Sequence, residues 1–292
     1  MNNHSQQIQS AMSTPHESTD HDARPVLTIA GIDPSGGAGL AADLKTFAAH
    51  GTYGMSVLTV ATDCTTEGVT DVHALPPAFV RRQLERVVDD IPPAAVKTGM
   101  LFNMAIIETV AEAAADLDLM PLVIDPVMTT RRGEPLLSED AEAALRTLIG
   151  HATVTTPSLP EAERLVDIAI QSRADTEAAA RAIHDRLHPA HVVITGGHAS
   201  DETAADCWYN GDTIHWLEAE RQPYAVHGGG DAFSAALTAG LAQNLKVDAA
   251  LQRAKRFVTR AIRQAPPRGA GHRPLALNGR THALASPNES LF

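Results

Sequence analysis

The apolar positions of this chain fall into two patterns that alternate along its length. Short, largely apolar runs at 26–30, 56–62, 94–97, 122–124 and 192–194 read as buried strands, and Thr153-Val154-Thr155-Thr156 reads as another strand. Between them the apolar positions recur at helical spacing. Leu40, Leu44, Phe47 and Ala48 share one face after the first run, and Pro76-Pro77 opens a helix through Phe79, Leu84, Val87 and Val88. Further helices are predicted over 103–117, from Ser138 to Leu148, from a Ser158 cap through Glu161, and over 175–187. The stretch 63–70 is polar. Two alternating runs, 205–209 and 213–218, are joined by Asn210-Gly211-Asp212 and predict a β-hairpin. A glycine turn at 228–230 leads into a helix with Phe233, Leu237, Gly240 and Leu241 on one face, and another helix follows. From Pro266 onward Pro, Gly, Arg and Asn thin out the pattern.

Strand–helix alternation without an internal repeat predicts a three-layer α/β fold: a mostly parallel central sheet with helices on both faces. The domain spans 25–265. The polar residues 1–24 are expected to be a disordered tail, and 266–292 an extension that is partly loose. In such sheets ligands sit at the carboxyl ends of the strands. Asp33, Cys64, Lys97, Met100, Asp125, Ser158, Gly196 and the 228–230 turn all fall at or near such ends, which favours an active site there.

Composition narrows the function. The 292 residues carry a formal charge of −12, which argues against a nucleic-acid groove or an anionic membrane surface. No apolar run approaches a membrane span. The first 24 residues are neither a secretory signal nor an Arg-rich transit peptide. Two cysteines, Cys64 and Cys207, suggest neither a disulfide framework nor a cysteine metal site, so a reducing cytoplasm is expected. The lysines are few: Lys45, Lys97, Lys246 and Lys255. A polyphosphate would therefore need backbone N–H groups, arginines and a divalent cation to balance it.

The candidate chemistry centres on Val226-His227-Gly228-Gly229-Gly230-Asp231. Glycines running into a helix present free N–H groups and the positive end of the helix dipole, which suit a phosphate. Asp231 in that first turn either caps the helix or takes a proton from a hydroxyl while the turn holds the phosphoryl group it attacks. A second glycine turn, Gly31-Ile32-Asp33-Pro34-Ser35-Gly36-Gly37-Ala38-Gly39, follows the first strand. It matches neither the dinucleotide fingerprint nor the P-loop and reads as a tight turn or a backbone-lined pocket. Arg131 and Arg132 sit on a loop where they are either solvated or able to close over a substrate. Cys64 reads as a pocket wall rather than a nucleophile. His198 and His227 read as hydrogen-bonding loop histidines rather than metal ligands.

Taken together, 226–238 resembles the second signature of the ribokinase-like superfamily. Ala30–Gly39 with Ala42-Asp43-Leu44-Lys45-Thr46 resembles one branch of it, the hydroxymethylpyrimidine/phosphomethylpyrimidine kinases of thiamine biosynthesis. Lys97-Thr98-Gly99-Met100-Leu101, Asp125-Pro126-Val127-Met128, Thr156-Pro157-Ser158-Leu159-Pro160-Glu161-Ala162 and Thr195-Gly196-Gly197-His198 are similar to that branch in the same order, over about 26–265.

The resemblance implies a cytoplasmic, ATP- and Mg²⁺-dependent kinase of a small pyrimidine alcohol, working as a homodimer. It implies Asp231 as the base, and Gly228, Gly229 and Gly230 as the anion hole. Gly31, Asp33, Cys64, Met100 and Val127 would hold the substrate, and Lys97, Ser158, Thr195 and Gly197 the nucleotide. Asp125 and Glu161 would lie at the metal. Some positions depart from the branch. Asp231 ends a turn where the branch usually has Cys; Asp there is the residue of the wider superfamily and of many pyridoxal kinases. Cys64 stands where a Gln often bonds the aminopyrimidine. Ser158 replaces the usual Asn, and Thr195 a common Lys. A pyridoxal or pyridoxine kinase, and a non-catalytic pyrimidine sensor, remain as alternatives.

Overall fold

The computed structural model describes residues 23–129, 136–198 and 203–278. The tail before residue 23 and the loop arginines Arg131 and Arg132 lie outside the described residues, as does the side chain of His198. Among the described residues nine strands form one sheet: β1 (Pro25–Ile32), β2 (Tyr53–Thr65), β3 (Gly68–Ala74), β4 (Ala95–Thr98), β5 (Leu122–Ile124), β6 (Val154–Thr155), β7 (His191–Ile194), β8 (Thr203–Tyr209) and β9 (Ile214–Glu220). Their order is β3-β2-β1-β4-β5-β6-β7-β8-β9. The six central strands from β2 to β7 are parallel, and an antiparallel pairing closes each edge.

The helices are α1 (Gly39–Ala49), α2 (Pro77–Asp90), α3 (Met104–Asp116), α4 (Glu139–Ile149), α5 (Leu159–Val166), α6 (Arg173–Leu187), α7 (Gly229–Ala242) and α8 (Val247–Arg263). Side chains alternate across each central strand. Leu27, Ile29, Val96, Leu122 and Ile124 therefore pack in one core with α2 to α6, and Val26, Ala95, Val123 and Val154 in another with α1, α7 and α8. That alternation explains why the strands read as largely apolar runs. No described helix is long and apolar enough to cross a membrane.

The structure differs from the sequence pattern in two places. In the polar stretch after 62, β2 continues to Thr65 and turns back into β3, whose residues are mostly exposed. An edge strand with two wet faces carries no apolar alternation to reveal it. The chain past 265 is bound into the fold as far as it is described. A short parallel pair, β10 (Val226–His227) and β11 (Arg273–Pro274), joins it to the glycine turn, and Leu275 and Leu277 are buried.

The strand order places the site. β1 has β2 on one side and β4 on the other, so the loops leaving β1 and β4 diverge to opposite faces and leave a crevice between them. Asp33 and Met100 stand at its lips.

Candidate active site

A cavity of about 650 Å³ opens along the carboxyl ends of the strands. It is lined by Gly31, Asp33, Cys64, Met100 and Val127 at one end and by Ser158, Thr195 and Gly197 at the other. Asp125, Glu161 and the turn Gly228–Asp231 lie along it as well. Lys97 does not. It was expected at the nucleotide, but its side chain is fully buried and donates to Asp43 at 2.7 Å. β4 points it into the α1/α7 core, where Thr28 also bonds Asp43. Burial opposes the Lys97 charge, and Asp43, Asp231 and Asp125 outweigh that and hold it protonated. Its reach into the site is by field, not by contact.

The glycine turn of α7 is formed by contact with the other glycine turn. Gly228 has φ +82°, and a Cβ there would lie 1.9 Å from the Gly37 carbonyl oxygen. Only glycine meets both demands. The first bond of α7 runs from Ala232 N–H to the Gly228 carbonyl, so the N–H groups of Gly229, Gly230 and Asp231 have no partner within the helix. Asp231 is half-buried beside them. The two turns are also joined by a side-chain bridge, His227 Nε2 to Asp33 Oδ2 at 2.8 Å. Asp33 accepts further from Ser35 N, Ser35 Oγ, Gly37 N and Ala38 N. Burial opposes ionisation of Asp33, but the bonds from His227 and Ser35 outweigh it and hold the carboxyl at about 2. Asp33 is thus a permanent anion that shapes its own loop.

Asp125 and Glu161 are both nearly inaccessible. Ser234 Oγ donates to Asp125 Oδ2 at 3.0 Å. Glu161 closes a capping box on Ser158, accepting from its N–H and hydroxyl, and Met128 N–H reaches its other oxygen at 3.3 Å. Burial pushes both carboxyls up, Asp125 to about 8; Lys97 opposes this at Asp125, while Asp231 and Glu161 add to it. Among the described residues, several carboxylates crowd one region that has a single buried ammonium near it. That charge imbalance and the hard oxygen donors fit a Mg²⁺ ion.

At the far end Thr195 N–H donates to the Pro157 carbonyl, and a 3₁₀ turn, 196–198, follows. Sequence reasoning missed what holds this turn. Asp206 accepts the Gly196 N–H and pairs with Lys255 at 2.8 Å, while Arg221 donates to the carbonyls of Gly196 and Gly197. Both cations line the cavity, on the side where the usual lysine is replaced by Thr195. A lysine on an amphipathic helix and an arginine after a strand carry no local signal of this. Cys64 is buried, and burial with Asp33 beside it pushes its thiol up to about 11. It is a wall, not a nucleophile.

A Gly-rich helix start facing a carboxylate cluster, at the carboxyl edge of a doubly covered parallel sheet, defines a phosphotransferase of the ribokinase-like type. Comparison with known proteins narrows this. The chain belongs to the phosphomethylpyrimidine kinase family, whose model matches residues 33–276. It is 46% identical to the hydroxymethylpyrimidine/phosphomethylpyrimidine kinase of Synechococcus elongatus, over 85% of this chain and 95% of that protein. Among solved structures it resembles the phosphomethylpyrimidine kinase of Clostridium difficile 630 (TM-score 0.74, 38% identity, 82% of this chain and 99% of that one). It also resembles the pyridoxal kinase of Bacillus subtilis in its ADP complex (TM-score 0.79, 40% identity, 87% of this chain and 96% of that one).

Proposed function

We propose that this protein transfers the γ-phosphoryl group of ATP to the hydroxymethyl group of 4-amino-5-hydroxymethyl-2-methylpyrimidine, and then phosphorylates the monophosphate, in thiamine biosynthesis. The observation that carries this reading is the glycine turn of α7, whose free N–H groups and Asp231 face one cavity with Asp125 and Glu161. Phosphoryl transfer asks mainly for positioning and charge balance. The pyrimidine lies against Gly31, Met100 and Val127, and the nucleotide phosphates lie by Thr195 and Gly197. Asp231 accepts the proton of the hydroxymethyl group as its oxygen attacks. The N–H groups of Gly228–Gly230 hold the oxygens of the phosphoryl group in flight. Asp125 and Glu161 are the residues that would hold Mg²⁺, which when bound neutralises charge on the phosphate oxygens. Lys255 and Arg221 take over positive charge that Thr195 does not supply. On the family resemblance the working unit is a homodimer in the cytoplasm.

A second reading, a pyridoxal or pyridoxine kinase, is favoured by Asp231 and Cys64 and by the likeness to the Bacillus subtilis enzyme. ADP release with Mg²⁺ATP separates the two on a panel of hydroxymethylpyrimidine, its monophosphate, pyridoxal and pyridoxine. Turnover on both pyrimidines is expected, and Asp231→Asn should lower it by roughly 10²–10⁴-fold. Turnover confined to the pyridine alcohols would install the second reading. An Asn variant that keeps its rate would remove Asp231 as the base.

A further inference from the structure

Asp33, Cys64 and His227 meet at the end of the cavity walled by Gly31 and Met100. One donor atom from each, a carboxylate oxygen, Sγ and a ring nitrogen, lie within 4.8 Å of one another. We propose that this trio is a binding site for a borderline-soft divalent cation, with Zn²⁺ the best fit, distinct from the carboxylate pair Asp125 and Glu161. The fourth position of the ion faces the cavity.

The donor set carries the chemistry. Sulfur, imidazole nitrogen and a single carboxylate oxygen suit Zn²⁺ and its relatives, whereas Mg²⁺ prefers an all-oxygen shell. Three protein ligands with one open position is the arrangement of an accessible zinc site rather than a closed structural one.

The backbone carries the geometry, because each donor is braced separately. Asp33 is fixed by Ser35, Gly37 and Ala38. His227 stands in β10, paired with β11. Cys64 reaches the cavity through a register shift between Asp63 and Cys64 in the β2–β3 pairing. Such a bulge re-aims a side chain.

Binding needs two contacts to change: Cys64 Sγ gives up the bond it donates to the Thr65 carbonyl at 3.3 Å, and the His227–Asp33 bridge opens. His227 Nε2 now sits 2.8 Å from Asp33 Oδ2, and the two must part slightly to admit an ion about 2.0–2.2 Å from each. His227 is the more exposed of the pair, at 19% against 7%, and is the one that yields. The ion takes Cys64 as thiolate, and the thiol proton passes to solvent. His227 coordinates through Nε2 with its ring proton on Nδ1, and Asp33 Oδ2 exchanges the histidine bond for the metal. An ion there covers the wall on which a ring substrate would lie, so the two exclude each other.

Cobalt(II) titration of the full-length, tag-free protein without nucleotide tests this directly. A thiolate-to-cobalt charge-transfer band in the near ultraviolet should grow to one equivalent and collapse when Zn²⁺ is added. It should persist in Cys207→Ser and vanish in Cys64→Ser. Histidines of the tail, such as His4 and His16, cannot produce a thiolate band. His227→Asn keeps the thiol, so it guards against misfolding of the cysteine variant; it should weaken Zn²⁺ by at least about tenfold in competition with a chromophoric chelator. A wild-type protein without the band, or a band that survives Cys64→Ser, overturns the proposal. So does unchanged Zn²⁺ affinity in His227→Asn. None of these readouts involves turnover, so the site and the kinase reading fail independently.

Discussion

His50 closes the carboxyl end of α1 with its ring 4.5 Å from that of Phe257, edge to face. Its Nδ1 lies 2.9 Å from the Thr46 carbonyl, which can only accept, so the ring carries its proton there. Nε2 is buried without a hydrogen-bond partner. A second proton would have nowhere to bond. Burial therefore drives the imidazole down to about 4; Arg253 and Arg260 add to this and the Thr46 bond opposes it. The sign follows. Between its ordinary value of 6.5 and about 4, the unfolded chain binds a proton that the folded chain refuses. Stability is fully present above 6.5 and is lost as pH falls through this window, by an amount on the order of 3 kcal/mol. His50→Leu should flatten the dependence of Tm on pH between 6.5 and 4. An unchanged slope would mean that other groups carry the acid loss.

The pairing of β1 with β4 sets Thr28 beside Lys97 in register, with both turned toward Asp43 of α1. This is a polar contact inside an otherwise apolar interface between sheet and helix. Burial pushes Asp43 up to about 6; Lys97 pulls it back and Asp231 adds to the rise. Removing one member strands the other. Lys97→Met should cost about 3–5 kcal/mol, because Asp43 stays buried without its cation. Lys97→Met with Asp43→Leu removes both charges and should be clearly more stable than the single variant. Urea midpoints measure both. Equal midpoints would show that the pair is not coupled. Lys97 lies near the end of a strand beside a short glycine motif, and the family resemblance implied a nucleotide contact for it. The Lys97–Asp43 pairing is set by strand register, which sequence spacing does not carry.

At the scale of the whole molecule, the segment after α8 ties distant parts together. Gly271 and His272 N–H groups bond Thr66, at the turn between β2 and β3. Directly after them, β11 pairs with the strand that carries His227. Leu275 and Leu277 then bury in the α7/α8 core. The hairpin bearing Cys64 and the glycine turn that opens α7 thus share one strap. Ending the chain after Arg268 removes it. The two leucines alone are worth about 3–6 kcal/mol of burial, so the truncated protein should unfold at distinctly lower urea than the intact one. An unchanged midpoint would mean that the strap adds nothing to the fold.

The sequence by itself determined what depends on near neighbours. Runs such as 122–124 and the helical spacing of Phe233 and Leu237 reveal burial because a segment's own periodicity records which faces are covered. The Ser158–Glu161 box and the glycine turn before Asp231 were legible because caps and turns are made within a few residues. The tertiary structure alone decided what depends on distant partners. It made β3 an exposed edge strand, turned Lys97 inward to Asp43, and brought Lys255 and Arg221 to Gly196 and Gly197. It also locked Asp33 to His227 across most of the chain. Hydrogen bonds and charge pairs between segments far apart in sequence leave no local period, so only the folded arrangement brings them together.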